Sequence, residues 1–425
     1  MPLDAAVAIP PSAPLEAGAK ATGTDAGPAL AAATPPPGLP ADLDVIVISV
    51  DSLRADMPWA GYPRAIAPRL TELEKRSVSY TRAYSMSSYT SMSLGGFLGG
   101  KLPSEMKRSG FFFGSYAKDN VMFPELLQAK GVRTMSAHAH GYFSSAGFDQ
   151  GFDVYQVVPG IKFDNTTDNN VTSPQHEAMA EKMLDDPRLE VGRFFAWFHF
   201  LDPHDQYLSH EKDGIPPYGK SLRDRYDAEV TFTDRYLGKL LDFIAGKPWG
   251  KRTAIIVTAD HGEAFGEHGI TRHAHEVWEE LIHVPLFVHV PGLAPREIAA
   301  SRGHADVAPT VLELLGAQPI ASLHGTSLVS ELRGGASATR DVIADLPEDE
   351  YNERRRALIH DRIKIIAFGN DVRYALYDLE ADPKESDDLM RKRPDLADEM
   401  RRRYKEASKG IVEVAPRGGV PTHDR

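Results

Sequence analysis

Asp44-Val45-Ile46-Val47-Ile48-Ser49-Val50 is a β-branched, apolar run that stops at Asp51. Such a run, with no polar alternation, reads as a strand buried on both faces, the kind found inside parallel sheets. Working outward, residues 132–137, 194–200, 254–258 and 285–290 repeat the pattern. Helical spacing separates several of them, over 66–78, 123–129, 222–244 and 306–315. In 222–244 the stripe Val230, Phe232, Tyr236, Leu237, Leu240 and Leu241 is a core-facing helix side. Strands alternating with helices predict an α/β domain with a large, mostly parallel mixed sheet between helices.

The boundaries follow from changes in pattern. The sheet domain is expected over 44–325. A subdomain of antiparallel strands and a terminal helix is expected over 326–410, and 411–425 reads as a tail. In that subdomain 357–368 and 372–379 read as two strands joined by Gly369-Asn370-Asp371, a hairpin signal. A basic helix is expected from Pro394 to about Lys409. Residues 1–43 hold 13 Ala, 9 Pro and 4 Gly and no aromatic residue. They cannot bury enough surface to fold and read as a disordered, extended linker, or as a tether to an upstream anchor.

Composition narrows the function. The 425 residues include 60 acidic and 48 basic side chains, a net charge of −12, which disfavours a nucleic-acid partner. The absence of cysteine removes thiolate ligands and a cysteine nucleophile. No apolar stretch reaches the roughly 18 residues a membrane span needs, and no secretory signal is expected at the N-terminus.

In open α/β sheets ligands lie beyond the carboxyl ends of the strands. Asp51 ends the first run; Asp202, His204 and Asp205 follow the run 194–201; Asp260 and His261 follow 254–258. Carboxylates gathered at one edge repel unless a cation neutralises them. Two carboxylates and an imidazole form an O/N set suited to one divalent ion, such as Mn, Zn, Ca or Mg. The segment 84–100 packs six Ser/Thr hydroxyls against four glycines, a flexible loop or an anion-cradling helix start. His138 and His140 read as surface or core-edge residues, and His199 as a satisfied core histidine.

These residues carry a resemblance. Asp51-Ser52-Leu53-Arg54-Ala55-Asp56, then Thr90-Ser91-Met92-Ser93 with Leu98-Gly99-Gly100, then Asp202-Pro203-His204, stand in a characteristic order. Thr258-Ala259-Asp260-His261-Gly262-Glu263, Gly266-Glu267-His268-Gly269 and Tyr377-Asp378-Leu379-Glu380-Ala381-Asp382-Pro383 continue it. The chain is identified as similar to the sulfatase family of the alkaline phosphatase superfamily, from about Asp44 to Leu389. The resemblance implies that fold and an ester hydrolase acting on sulfate or phosphate esters. It puts Thr90 on the nucleophile position, where sulfatases carry the Cys or Ser that becomes formylglycine. Leu94 stands where the family has Arg, and Ser52 where its first motif has a second Asp.

Asp51, Thr90, Asp260 and His261 are therefore expected to hold one metal, with Thr90 as nucleophile. His204 or His275 would protonate the leaving oxygen, and Ser91, Ser93 and His273 would bind substrate. The expected partner is a small-molecule, glycan-borne or lipid-borne anionic ester. Two alternatives stay open: a phospho-group transferase on an envelope glycan or lipid, and a non-catalytic glycan-binding relative. The tether reading and family habit point to the periplasm or cell envelope, with the cytoplasm as alternative.

Overall fold

A computed structural model describes residues 38–40, 42–111, 113–161, 171–349 and 351–419. The linker reading of residues 1–43 falls almost entirely outside the described residues.

The main sheet has eight strands: β1 (Asp44–Val50), β2 (Val78–Tyr80), β3 (Arg133–His138), β4 (Val154–Val157), β5 (Phe194–Phe200), β6 (Thr253–Ala259), β7 (Leu286–His289) and β8 (Arg296–Ile298). Their order is β8-β2-β7-β6-β1-β5-β3-β4. β1 lies at the centre, parallel to both β5 and β6, and β7 is antiparallel to β6 and β2. This is the large, mostly parallel mixed sheet expected. Alternate residues of β1 face opposite layers. Val45 and Val47 join Leu94 and Phe97 of α2 (Thr90–Gly99) and Val311 and Leu312 of α6 (Val307–Leu314). Ile46 and Ile48 join Leu70 and Leu73 of α1 (Pro68–Glu74) and Leu237 and Leu240 of α5 (Leu222–Gly246). Two further helices, α3 (Phe123–Gln128) and α4 (Ser173–Leu184), complete the layers.

The helix expected over 66–78 ends at Glu74. Val78 instead opens β2, where it pairs with Val288 of β7 and Arg296 of β8. A β-branched residue with strand partners on both sides gains more from the ladder than from another helical turn.

The C-terminal subdomain is an antiparallel sheet, β9 (Asp341–Leu346), β10 (Arg355–His360), β11 (Ile363–Phe368) and β12 (Arg373–Asp378), in chain order. The single strand expected over 357–368 is two strands turning at Asp361-Arg362, with Asp361 in the left-handed region at φ 54°. One sheet face packs on Tyr84, Tyr89 and Leu281 of the main domain. The other takes Ala397, Met400 and Tyr404 of α7 (Pro394–Ser408). The segment 411–419 runs back to the exit of α2: the Val414 N–H donates to the Ser104 carbonyl, and Glu413 pairs with Arg354 and Arg356.

Candidate active site

Register builds the site. Ser49 of β1 stands level with His199 of β5 on one side and Thr258 of β6 on the other. Asp51 and Asp260 therefore leave neighbouring strands at nearly the same height. The Asp51 N–H donates to the Phe200 carbonyl at 2.8 Å, extending the ladder to the strand's last residue. From the other side comes α2, whose first residue is Thr90. Its N-terminal amides and the positive end of its dipole face this edge. The helix approaches closely because Gly95 has no Cβ: one built there would lie 2.0 Å from the Tyr116 ring.

Four side chains converge. Thr90 Oγ1 donates to Asp51 Oδ2 at 3.3 Å and lies 3.2 Å from His261 Nε2. His261 Nε2 is 3.3 Å from Asp260 Oδ2 and 3.7 Å from Asp51 Oδ1. The tautomer of His261 follows from its other nitrogen. Nδ1 faces the Gly262 carbonyl at 2.9 Å, which can only accept, so Nδ1 carries the proton and Nε2 presents a lone pair to the cluster. Asp260 Oδ1 takes the N–H groups of Ser52 and His261, whereas its Oδ2 is buried without a hydrogen-bond partner.

The charges match this picture. Burial and the neighbouring Asp51 push the Asp260 carboxyl well above its usual range. Burial alone would also raise Asp51, but His204 and the hydrogen bond from His199 outweigh it and hold Asp51 low. Burial and His273 push His261 down to about 3, so its ring is neutral, the form that binds metals. Asp51, Asp260 and His261 offer ligand atoms all within 4.8 Å of one another, and the orphaned Asp260 oxygen and free His261 lone pair fit a shared dication.

The rings of His261 and His273 lie 4.2 Å apart, and those of His273 and His204 5.1 Å apart, forming one arc beside Thr90. His273 Nδ1 lies 3.1 Å from Glu263 Oε1, a fully buried carboxyl that desolvation pushes up to about 7. His275 is placed differently: its Nδ1 bonds the Asn352 side chain at 3.0 Å. The Ser91 hydroxyl accepts the Gly114 N–H, and the Ser93 hydroxyl donates to the Asp260 carbonyl. Both are engaged in holding α2 rather than presented to a substrate. Asp202 also turns away, accepting from the Thr172 and Ser173 N–H groups and the Thr172 hydroxyl at the start of α4. Asp205 pairs with Arg272 at 2.9 Å.

Two residues carry more than the sequence assigned them. His199 is not simply a satisfied core side chain: its Nδ1 lies 2.8 Å from Ser49 Oγ and its Nε2 3.4 Å from Asp51 Oδ2. The signal was a polar residue at matching depth in three apolar strands, Ser49, His199 and Thr258. Glu263 is the other. His138, expected near the surface, is fully buried and stacks on Phe143 at 4.2 Å. A second group of two carboxylates and an imidazole, Glu280, Glu385 and His268, lies elsewhere, where Lys364 Nζ, 2.9 Å from Glu385 Oε1, supplies positive charge.

Comparison with known proteins gives the same frame. A family model described as Sulfatase matches residues 44–317, and one described as N-sulphoglucosamine sulphohydrolase, C-terminal, matches 266–409. A sulfatase of Formosa agariphila is 24% identical over 420 residues, covering 80% of this chain and 82% of that protein. Among solved structures, a phosphonate monoester hydrolase from Silicibacter pomeroyi superposes with a TM-score of 0.71 at 17% identity, covering 90% of this chain and 99% of that one. A structure solved with its substrate D-glucosamine-2-N,6-O-disulfate gives 0.71 at 17% identity, covering 87% of this chain and 98% of that one. At these identities the structural likeness speaks to the fold.

Proposed function

The chain belongs to the sulfatase family and is a hydrolase acting on ester bonds, and from that premise we propose a metal-dependent enzyme with Thr90 as nucleophile, acting by preference on phosphate esters. The observation that carries the reading is the convergence of Thr90 Oγ1, Asp51, Asp260 and His261 around an unpartnered Asp260 oxygen. Those four residues would hold one dication, which lowers the cost of forming the threonine alkoxide and polarises a substrate oxygen.

The chain's own groups do the rest. Thr90 Oγ1 releases its proton to solvent water and attacks the tetrahedral centre; a covalent threonine ester forms as the bond to the departing oxygen breaks. The N-terminal amides of α2 face the oxygens on which charge develops. His204 protonates the departing oxygen, and His273 hydrogen-bonds the substrate. Water then attacks the threonine ester and restores the hydroxyl; an acceptor alcohol in its place would make the enzyme a transferase.

Thr90 favours phosphorus over sulfur. By the family resemblance, sulfatases need a formylglycine that threonine cannot supply. Leu94, at the position of the family's Arg, is buried in the core. A second reading, sulfate-ester hydrolysis on a glycan, is favoured by the relative solved with a disulfated glucosamine. We place the enzyme at the cell envelope on the tether reading of residues 1–43; among the described residues no helix is long and apolar enough to cross a membrane.

The test is an assay of aryl phosphate, phosphodiester and aryl sulfate with manganese, zinc, calcium or magnesium, beside Thr90→Ala. Turnover unchanged in that variant would remove Thr90 as nucleophile. Turnover of sulfate alone would reverse the substrate preference.

A further inference from the structure

Beside the histidine arc lies a recess of about 250 Å³ lined by Asp205, Gln206, Tyr207, Leu222, Arg225 and Arg272. Its position is fixed by the chain: Asp205 follows His204, and Arg272 precedes His273, the two rings that stand 5.1 Å apart and continue the arc outward from His261.

The charge here opposes that of the whole protein. At the start of α5 the acids are already taken: Asp227 is bound by Arg64 and Arg223, and Asp224 by Arg64. Arg225, on the same turns, is exposed, and among the described residues no acidic group pairs with its guanidinium. Arg272 crosses the recess to Asp205 at 2.9 Å, with half its side chain still exposed. Its backbone sits at φ 70°, a region a non-glycine residue occupies rarely and at a conformational cost. The recess therefore carries two guanidinium groups against one carboxylate, in a chain of net charge −12. Guanidinium forks match sulfate, phosphate and carboxylate oxygens. A net-negative protein gives a polyanion no long-range attraction, so recognition of one must come from such local cations within a Debye length of roughly 8 Å.

We propose that this recess binds a second anionic group of the substrate, carried beyond the ester being cleaved, with Arg225 and Arg272 as its ligands. The natural substrate is then at least doubly anionic. The proposal rests on the ester-hydrolase reading. The group recognised is an oxyanion, and the experiment distinguishes its sources.

Binding is measured by calorimetry on the Thr90→Ala protein, which leaves the probe uncleaved. The probes are disaccharides bearing one phosphate or sulfate ester on the first sugar. The second sugar carries nothing, a carboxylate, a sulfate or a phosphate. The expected result is about tenfold tighter binding of a charged second sugar at low salt, with the strongest of the three naming the source. That preference disappears in Arg225→Ala, reverses in Arg225→Glu and shrinks in Arg272→Ala. Arg225 lies on an exposed helix surface and half of the Arg272 side chain is exposed, so circular dichroism should show all three variants folded. Equal affinity for neutral and charged disaccharides, no binding of any, or a preference surviving Arg225→Glu would overturn the proposal. Failure of the ester-hydrolase reading shows separately, as no turnover by the unmodified enzyme, because the binding preference needs no catalysis.

Discussion

His199 Nε2 lies 3.4 Å from Asp51 Oδ2, although 148 positions separate the two residues in the chain. The pair belongs to a buried relay. Trp197 Nε1–H donates to Ser49 Oγ at 2.9 Å, and Ser49 Oγ lies 2.8 Å from His199 Nδ1. Asp51 Oδ2 is a carboxylate oxygen that can only accept, which puts the His199 proton on Nε2 and leaves Nδ1 to accept from the Ser49 hydroxyl. His199→Leu removes that donor from a carboxylate placed to hold a cation. The expected outcome is about 10–100-fold weaker manganese or zinc affinity, with a smaller loss in Ser49→Ala. Calorimetry and metal content of the purified proteins check this; unchanged affinity in His199→Leu would show that the relay serves packing alone.

Thr90→Ala deletes the attacking oxygen. Turnover should fall by roughly 10⁴-fold or more, while Thr90→Ser, which keeps a hydroxyl at the first position of α2, should retain a measurable share. Rates with an aryl phosphate settle it, with trapping of a phosphorylated Thr90 peptide by mass spectrometry as a second readout.

Gly95→Ala tests the close approach of α2. The added methyl would meet the Tyr116 ring at 2.0 Å, and Tyr116 is fixed by its hydroxyl donating to the Ser91 carbonyl. Overpacking of this kind costs about 1–3 kcal/mol. A thermal melt of the variant should show a drop of several degrees, and an unchanged midpoint would mean that the helix shifts freely.

Asp44, at the opposite end of β1, gives a pH signature away from the site. Burial pushes its carboxyl up to about 7, although the Phe194 N–H and Arg252 pull it the other way. A carboxyl whose folded value is raised favours the folded state while protonated, so its contribution is present at acid pH and fades as pH rises toward and through 7. Asp44→Asn keeps an oxygen for the Phe194 N–H and cannot ionise. The melting temperature of the wild type should therefore fall relative to Asp44→Asn between pH 5 and pH 8. A constant difference across that range would refute the assignment.

Much of this architecture is written locally. The run 44–50 is apolar at every position but its first residue and Ser49, so it has no alternative to double-sided burial, and Asp260-His261 follows a strand of the same kind. What stayed hidden depends on partners distant in sequence. Val78 becomes a strand residue only because β7 and β8 flank it. The turn at Asp361-Arg362 has no glycine to announce it, since Asp361 itself takes the left-handed conformation. Asp202 looks like a site carboxylate until α4 is seen to begin beneath it. His199 and Arg225 acquire their surroundings from strand register and from the pairing of other arginines, neither of which spacing along the chain reveals.

The lockstep of Ser49 with His199 and Thr258 divides the molecule into a part that tolerates change and a part that does not. Slipping β1 by one residue would swing Asp51 to the far side of the sheet and dismantle the chemistry together with the core. Gln206, Arg225 and Arg272, on the wall of the neighbouring recess, bear no such burden. New specificities in descendants of this protein should therefore arise there, as replaceable fittings on an unaltered mount.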